Sequence, residues 1–363
     1  MGTLKVSNII TTLFFSFVTV CGYTQEQSAA TNSQDYWKYS DTPLLGQVIP
    51  VNQINLQKGV HLLDIETIGK QYEGMTNPFD TMGLGSFSTD NKDALIRLRY
   101  AFALARYTYV GFTTGFASRW EAELYDDSGI TDPEIFIGHH IPWKNGDFRL
   151  ALTFSPSLGA SSVERDVDVN KEKAKGNFYR GGWSVRPEAA LTIRSGKVIF
   201  GAEASYLYLG ERTHNESVIL TPDAANDSTT VTGLSQHFLG SNSGDQSLLD
   251  KIDNVQSKIT GGHTWAVKGL VEVPDWQRLG AEFIYGQVSS SSRENDFGKI
   301  VENDGGAFQE VRVYGRYKYN DNMSLTPLVS WMPSLPSVRG QDRLDSTSNV
   351  WGVQLTFRSK FAL

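Results

Sequence analysis

Cysteine is nearly missing from this chain: Cys21 stands alone among 363 residues. One thiol cannot close a disulfide within the chain, and it argues against a Cys-based zinc site. Long apolar runs are missing too, apart from one near the start. No later stretch therefore reads as a membrane helix, which needs about 20 apolar residues. Mean hydropathy is −0.30, low for a helical membrane protein. Basic clusters are also lacking: 33 Lys and Arg face 40 Asp and Glu, a formal charge of −7, which argues against a nucleic-acid partner. Neither a Gly-x-Ser-x-Gly elbow nor a His-Glu-x-x-His pair occurs. The chain is well supplied with aromatic residues (12%) and glycines (34), a composition that leans towards β structure with many turns.

Residues 1–22 read as a secretory signal peptide. Lys5 supplies a positive start, Ile9 to Val20 an uncharged apolar run, and Val20-Cys21-Gly22 a cleavage region before Tyr23. The run is too short for a membrane-spanning anchor. Lipidation of Cys21 is the competing reading, which the bulky Val20 before it fits poorly. Residues 23–57 form a polar leader, either periplasmic or folded into a lumen as a plug.

From about residue 94 onward, apolar residues recur at every second position, the signature of strands with one apolar face. In 183–194, Trp183, Val185, Pro187, Ala189, Leu191 and Ile193 share one face, and Ser184, Arg186, Glu188, Ala190, Thr192 and Arg194 the other. A soluble sandwich alternates as well, so the connections must decide. Lys144-Asn145-Gly146-Asp147, Ser195-Gly196-Lys197, 274–277 and 320–322 are short and turn-rich. Between them lie long polar segments at 161–179, 212–262, 291–306 and 333–349. Short and long connections alternate, as in outer-membrane barrels with tight periplasmic turns and long external loops. With the short turns periplasmic, Trp120, Trp183, Trp265, Trp331 and Trp351 fall at external strand ends and Trp143 near a periplasmic end. Those are the positions of a membrane-interface girdle. The expectation is an all-β fold, a transmembrane antiparallel up-and-down barrel over 58–363 with about twelve strands. One of these, near 59–71, alternates poorly and rests on strand parity. The barrel is expected in the outer membrane of a Gram-negative bacterium, with both termini periplasmic.

The stretch Leu98-Arg99-Tyr100-Ala101-Phe102-Ala103-Leu104-Ala105-Arg106-Tyr107 and the hairpin around Val313-Tyr314-Gly315-Arg316-Tyr317-Lys318-Tyr319 resemble strand–turn–strand units of one group of outer-membrane barrels. These are the meta-pathway phenol-degradation-like transporters, loosely related to long-chain fatty-acid channels. The resemblance spreads thinly over 94–363 and implies energy-independent uptake of small, often hydrophobic or aromatic, solutes. The first hairpin departs from the pattern, with Ala105-Arg106 where Asp or Asn is usual. The chain also ends in Leu363 and not in Phe.

Alternation assigns an inward, pore-lining set: Arg97, Arg99, Arg149, Arg186, Arg194, Lys268, Arg312, Arg316, Lys318, Arg358 and Lys360, opposed by Glu188, Glu203, Glu272, Glu282 and Glu310. Basic groups lead in this set, which implies preference for anionic solutes, with Arg186, Arg312, Arg316 and Arg358 placed near mid-strand. The plainer reading is mutual pairing of these charges. For catalysis the best cluster is His139-His140 near Asp126 and Asp127, and strand parity admits only one of the two histidines, His140, to the lumen. Asp166-Val167-Asp168-Val169-Asn170 begins like a calcium loop, but Lys171 stands where Gly is needed. No metal or cofactor is expected. The reading is therefore a passive channel for small solutes, possibly anionic or aromatic, with membrane lipid, solute and the barrel-assembly machinery as partners. The alternatives are a surface adhesion or receptor protein acting through 212–262, and a lipid-modifying hydrolase.

Overall fold

The computed structural model describes residues 58–76, 88–121, 125–168, 171–177, 179, 181–240, 246–273, 279–303, 306–315, 317–318, 323–334 and 348–362. The signal and leader segments, 1–22 and 23–57, lie outside the described residues. In chain order the strands are β1 (Val60–Thr76), β2 (Ser88–Ala105), β3 (Thr108–Glu121), β4 (Tyr125–Ile130), β5 (Glu134–Trp143), β6 (Gly146–Ser155) and β7 (Ser161–Asp168). There follow β8 (Lys171–Gly176), β9 (Ser184–Ser195), β10 (Val198–Leu209) and β11 (Arg212–Leu220), then helices α1 (Pro222–Asn226) and α2 (Ser228–Leu239). A 3-10 helix (Gln246–Lys251) precedes β12 (Val255–Gly261), β13 (Thr264–Val273), β14 (Leu279–Val288), β15 (Ser291–Asn295) and β16 (Ile300–Asn303). The last are β17 (Gly306–Gly315), β18 (Tyr317–Lys318), β19 (Met323–Ser334) and β20 (Ser348–Ala362).

Following antiparallel partners from strand to strand leads around a closed circuit. It runs β1–β2–β3–β5–β6–β9–β10–β13–β14–β17–β19–β20. β20 then returns to β1, in register from Val60↔Ala362 to Glu73↔Asn349. Counting the members of that circuit gives a ring of twelve strands, the number expected from sequence, with β18 extending the β17 edge along β19. The poorly alternating segment near 59–71 is β1, paired on both sides. No helix among the described residues is long and apolar enough to cross a membrane. The strands do the crossing.

The two faces of the ring are inverted relative to a soluble protein. Ile96, Phe112, Phe116, Ile135, Phe154, Leu191, Ile193, Phe200, Val267, Val271, Phe283, Val311 and Val313 are exposed on the outside. Arg99, Arg149, Glu188, Glu203, Lys268, Glu272, Glu282 and Arg312 are buried inside. A contiguous exposed apolar surface of this extent is stable only against hydrocarbon, so the ring defines a membrane-spanning barrel. At one end its turns are short. The β2–β3 turn places Tyr107 at φ 73, a left-handed conformation that Gly or Asn adopts more easily. The Arg106 guanidinium lies 5.0 Å above the Tyr107 ring.

Glycines open room on the inner wall. Tyr109 pairs with Gly138 and Tyr314 with Gly280, and each ring lies flat where a Cβ on the glycine would overlap it. Gly280→Ala is therefore expected to displace Tyr314 and lower stability by about 1–3 kcal/mol, the usual cost of overpacking. A melting temperature unchanged from wild type would refute this account of the wall.

At the other end the long connections at 161–179, 212–262 and 291–306 are, in their described residues, not polar loops but a second tier of strands and helices; most of the fourth, 333–349, lies outside the described residues. β4 folds back on β3, β8 runs parallel to β4, β7 pairs β8, and β11 runs parallel to β7. β12, β15 and β16 continue the sheet. The tier has its own core: Val167, Val218, Leu234, Phe238, Leu248, Ile252 and Val255, with Leu220, Leu239, Leu249 and Phe297 against it. Helix signals were present in 221–240. Thr221 caps α1 by accepting from the Ala224 N–H, and Pro222 occupies the first turn. Asp227 caps α2 through Thr230 N–H, and Gly240 ends it at φ 72. Val231, Leu234, Ser235 and Phe238 form its buried stripe, at the i, i+3, i+4, i+7 spacing of an amphipathic helix.

Candidate functional site: the charged interior of the barrel

The polar side chains inside the ring pair along the wall, between adjacent or next-but-one strands. Arg149 on β6 reaches Glu203 on β10 at 3.3 Å, and Lys268 on β13 reaches the same carboxylate at 3.5 Å. Arg312 on β17 holds Glu282 on β14 at 2.8 Å and Glu310 on its own strand at 2.8 Å. Arg186 on β9 lies 3.2 Å from Glu188 and 3.5 Å from Glu134 on β5. Arg99 faces Asp64 at 3.9 Å. Tyr314 donates to Glu272 at 2.9 Å. Towards the short-turn end apolar side chains join the polar ones, with Leu62, Ala101, Ala103, Tyr109 and Phe136 on one wall and Leu270, Tyr314 and Leu328 on another.

Alternation placed Arg97, Arg99, Arg149, Arg186, Glu188, Glu203, Lys268, Glu272, Glu282, Glu310 and Arg312 on one face; all of these but Arg97 are buried or ion-paired on the inner wall, and Arg97 is part-exposed at the register position two beyond Arg99. Arg194 stands apart. It lies beside a short turn and donates to the Gly196 carbonyl at 3.2 Å. Arg186 is the third residue of β9, at the long-connection end, and so is not near mid-strand. Arg316 and the side chains of Lys318, Arg358 and Lys360 lie outside the described residues. The two-to-one basic excess is not seen among the described inward groups: Arg316 and the side chains of Lys318, Arg358 and Lys360 lie outside them, Arg194 stands at a turn, and Asp64, Glu134 and Asp147 add to the acidic side. Glu134 was legible, since the parity that admits Phe136, Gly138 and His140 admits it too. Asp147 was hidden by its assignment to a turn.

The proposed pairing of His139-His140 with Asp126 and Asp127 is corrected. Asp126 and Asp127 sit on β4 in the outer tier, whereas His140 faces Asp147 at 3.2 Å near the short-turn end. His139 points the other way and bonds Thr108 Oγ1 at 2.8 Å. Among the described residues no group of three or more His, Cys, Asp or Glu could hold a metal; Asp166 and Asp168 of the calcium-like segment belong to β7, and 169–170 lie outside the described residues.

Of the tryptophans, Trp143, Trp265 and Trp331 are exposed. Trp183 is half-buried and packs on Tyr208 at a centroid distance of 5.4 Å. The side chains of Trp120 and Trp351 lie outside the described residues.

The outer tier holds a second polar centre that alternation did not reveal. Glu216 on β11 is buried and accepts from Arg165 on β7 at 2.6 Å, from His237 on α2 at 3.0 Å and from Arg293 on β15 at 2.9 Å. Burial alone would push its carboxyl up. The His237 hydrogen bond and the Arg165, His237 and Arg293 charges outweigh that and hold it well below the ordinary range. Lys299 donates to the Gln236 and His237 carbonyls at 2.7 and 2.8 Å, closing the C-terminal end of α2.

A closed, inside-out ring with a charged interior defines a transmembrane β-barrel. The fold is that of a bacterial outer-membrane channel. The chain is similar to an outer membrane channel from Pseudomonas putida F1 at 10% identity, TM-score 0.52, over 84% of this chain and 97% of that one. It also matches the Pseudomonas putida toluene transporter TodX at 9% identity and TM-score 0.39, over 84% and 89% of the two chains. No known family profile and no curated protein matches the sequence.

Proposed function

We propose that this protein is a passive channel for small solutes in the outer membrane of a Gram-negative bacterium. In this reading the short-turn end and both chain termini face the periplasm, residues 1–22 direct export and the assembly machinery inserts the barrel. The observation that carries the reading is the charged interior. A barrel that served only as an anchor has no need to bury Arg99, Arg149, Lys268 and Arg312 with their carboxylate partners, each at a desolvation cost. The likeness to the Pseudomonas putida outer membrane channel supports it.

Arg149, Lys268 and Arg312, with Glu203, Glu282 and Glu310, form the constriction. Because these charges neutralise one another, the channel discriminates weakly between anions and cations there, and any anion preference falls to Arg316, Lys318, Arg358 and Lys360. Reconstitution into planar bilayers tests this. Wild type is expected to show small conductance steps, and a double Arg149→Ala, Glu203→Ala variant is expected to show larger ones. No conductance from either protein would reject the channel.

A further inference from the structure

One face of the outer tier is not used by its core. Val167, Val218 and Val255 turn towards α2 and pack with Leu234 and Phe238. By alternation, the residues between them on β7 and β11 turn the other way. On that far face lies a cleft of about 430 Å³, a size within the ~300–1,000 Å³ of small-molecule sites.

The hollow follows from side-chain lengths. β7 and β11 run parallel, with Ser162 beside Asn215 and Glu164 beside Ser217. The two serines are diagonal neighbours and make the low point. Longer side chains rise around it: Glu164 and Asn215 themselves, Lys175 on β8 opposite Glu164, and Asp253 and Asn254 just before β12. The floor is firm. Glu216, which separates Asn215 from Ser217, is buried and held from the other side by Arg165, His237 and Arg293. Glu164, Lys175, Asp253 and Asn254 are exposed, so the cleft opens to water.

Two of its groups are already oriented. Asn177 Nδ2 donates to Ser162 Oγ at 2.7 Å, which leaves the Ser162 proton for another acceptor. Gln256 Nε2 donates to Asn215 Oδ1 at 3.4 Å, which leaves the Asn215 amide protons for a ligand. Ser162, Asn215 and Lys175 thus offer donors, and Glu164, Asp253 and the Asn254 side-chain carbonyl offer acceptors.

Small-molecule pockets are commonly lined by apolar side chains, yet among the described residues lining this one only Val163 is apolar. The carboxylates of Glu164 and Asp253 oppose an anion, and the Lys175 ammonium opposes a cation. A neutral ring carrying several hydroxyls suits both kinds of group, because each hydroxyl donates and accepts at once. We therefore propose that this cleft binds a saccharide, through direct hydrogen bonds to Ser162, Glu164, Asn215 and Asn254. The sugar is either a free solute or a unit of a cell-surface glycan, which share this chemistry. The site lies outside the ring and does not rest on the channel reading.

Titration calorimetry on the full-length, detergent-solubilised protein tests the site. Glucose and maltotriose serve as free sugars, an uncharged lipopolysaccharide O-chain as the glycan, and glutamate and choline as charged controls. Saturable binding is expected for at least one sugar and for neither control. Free-sugar binding assigns a solute site, and O-chain binding alone assigns a glycan site. Asn254→Ala is expected to weaken binding about tenfold, the loss of one hydrogen bond. Ser217→Leu is expected to abolish it by filling the low point. Wild-type resistance of 212–262 to limited proteolysis shows that a variant keeps the tier folded, and Asn254→Ala, on a connection, carries the test if Ser217→Leu does not. Binding of no sugar by wild type overturns the proposal, as does unchanged affinity in Asn254→Ala. Tighter binding of glutamate or choline than of any sugar overturns it too. Sugar binding without bilayer conductance rejects the channel alone and leaves this site standing.

Discussion

Replacing Arg312 with methionine is expected to cost the barrel about 3–5 kcal/mol, the usual result of removing one partner from a buried ion pair. The size follows from what is left behind. Glu282 and Glu310 both turn to this guanidinium, at 2.8 Å each, and Glu282 is 2% exposed. Without Arg312, two carboxylates share one wall with Lys268 on the neighbouring strand. Heat-modifiable electrophoresis reads the loss as a lower unfolding temperature. A second substitution, Glu282→Met, is expected to restore part of it, because an apolar pair of similar volume carries no desolvation cost. If the single variant melts with wild type, the wall pairing contributes nothing to stability. In bilayers the single variant is also expected to favour cations.

The second large effect lies outside the membrane. Glu216→Ala leaves Arg165, His237 and Arg293 facing one another around an empty place. Arg165 is the most buried of these, and its loss of a partner alone is expected to cost the outer tier about 3–5 kcal/mol. The ring does not depend on this cluster, so the tier should open locally while the barrel persists. Limited proteolysis should then cut within 212–262 and leave the heat-modifiable band intact. The same site sets a pH response. A carboxyl whose folded pKa is depressed adds stability above its ordinary value of 4.5, and that stability is lost as pH falls from there towards the lower folded value. Protease sensitivity of the tier should therefore rise in acid below that range in wild type. In Glu216→Gln it should not change with acid for this reason. Equal acid sensitivity in the two proteins would remove Glu216 as its source.

The barrel was legible because its physics is periodic. In β9, Ser184 and Glu188 are buried while Pro187, Leu191 and Ile193 are exposed, as period two demands of a strand between water and lipid. The loops misled for a related reason. In β7 the pattern is a valine, a charge and a valine, with Val163, Arg165 and Val167 buried and Glu164 and Asp166 exposed. Alternation was therefore present there, but the high charge density read as solvated polar chain. The α2 helix announced itself by Asp227, Gly240 and the Val231–Phe238 stripe, signals at a helical period that a search for strands passes over. Charge balance inside the ring was the least legible. It depends on which residues near a turn still face inward: Glu134 keeps the parity of β5, whereas Asp147 follows Gly146 directly and reads as part of the turn.

The seam between β1 and β20 has a consequence for how the molecule forms. Val60 meets Ala362, so the closing contacts join residues almost the whole chain apart, and their loop-closure cost is met last. Until β20 arrives, the sheet presents two unpaired edges, one on β1 and one on β19, each able to recruit a foreign strand. A chain released before its final strand would be prone to aggregate, and one held at those edges until closure would not. Shielding those two edges during folding would lower that risk, independently of what the finished barrel carries.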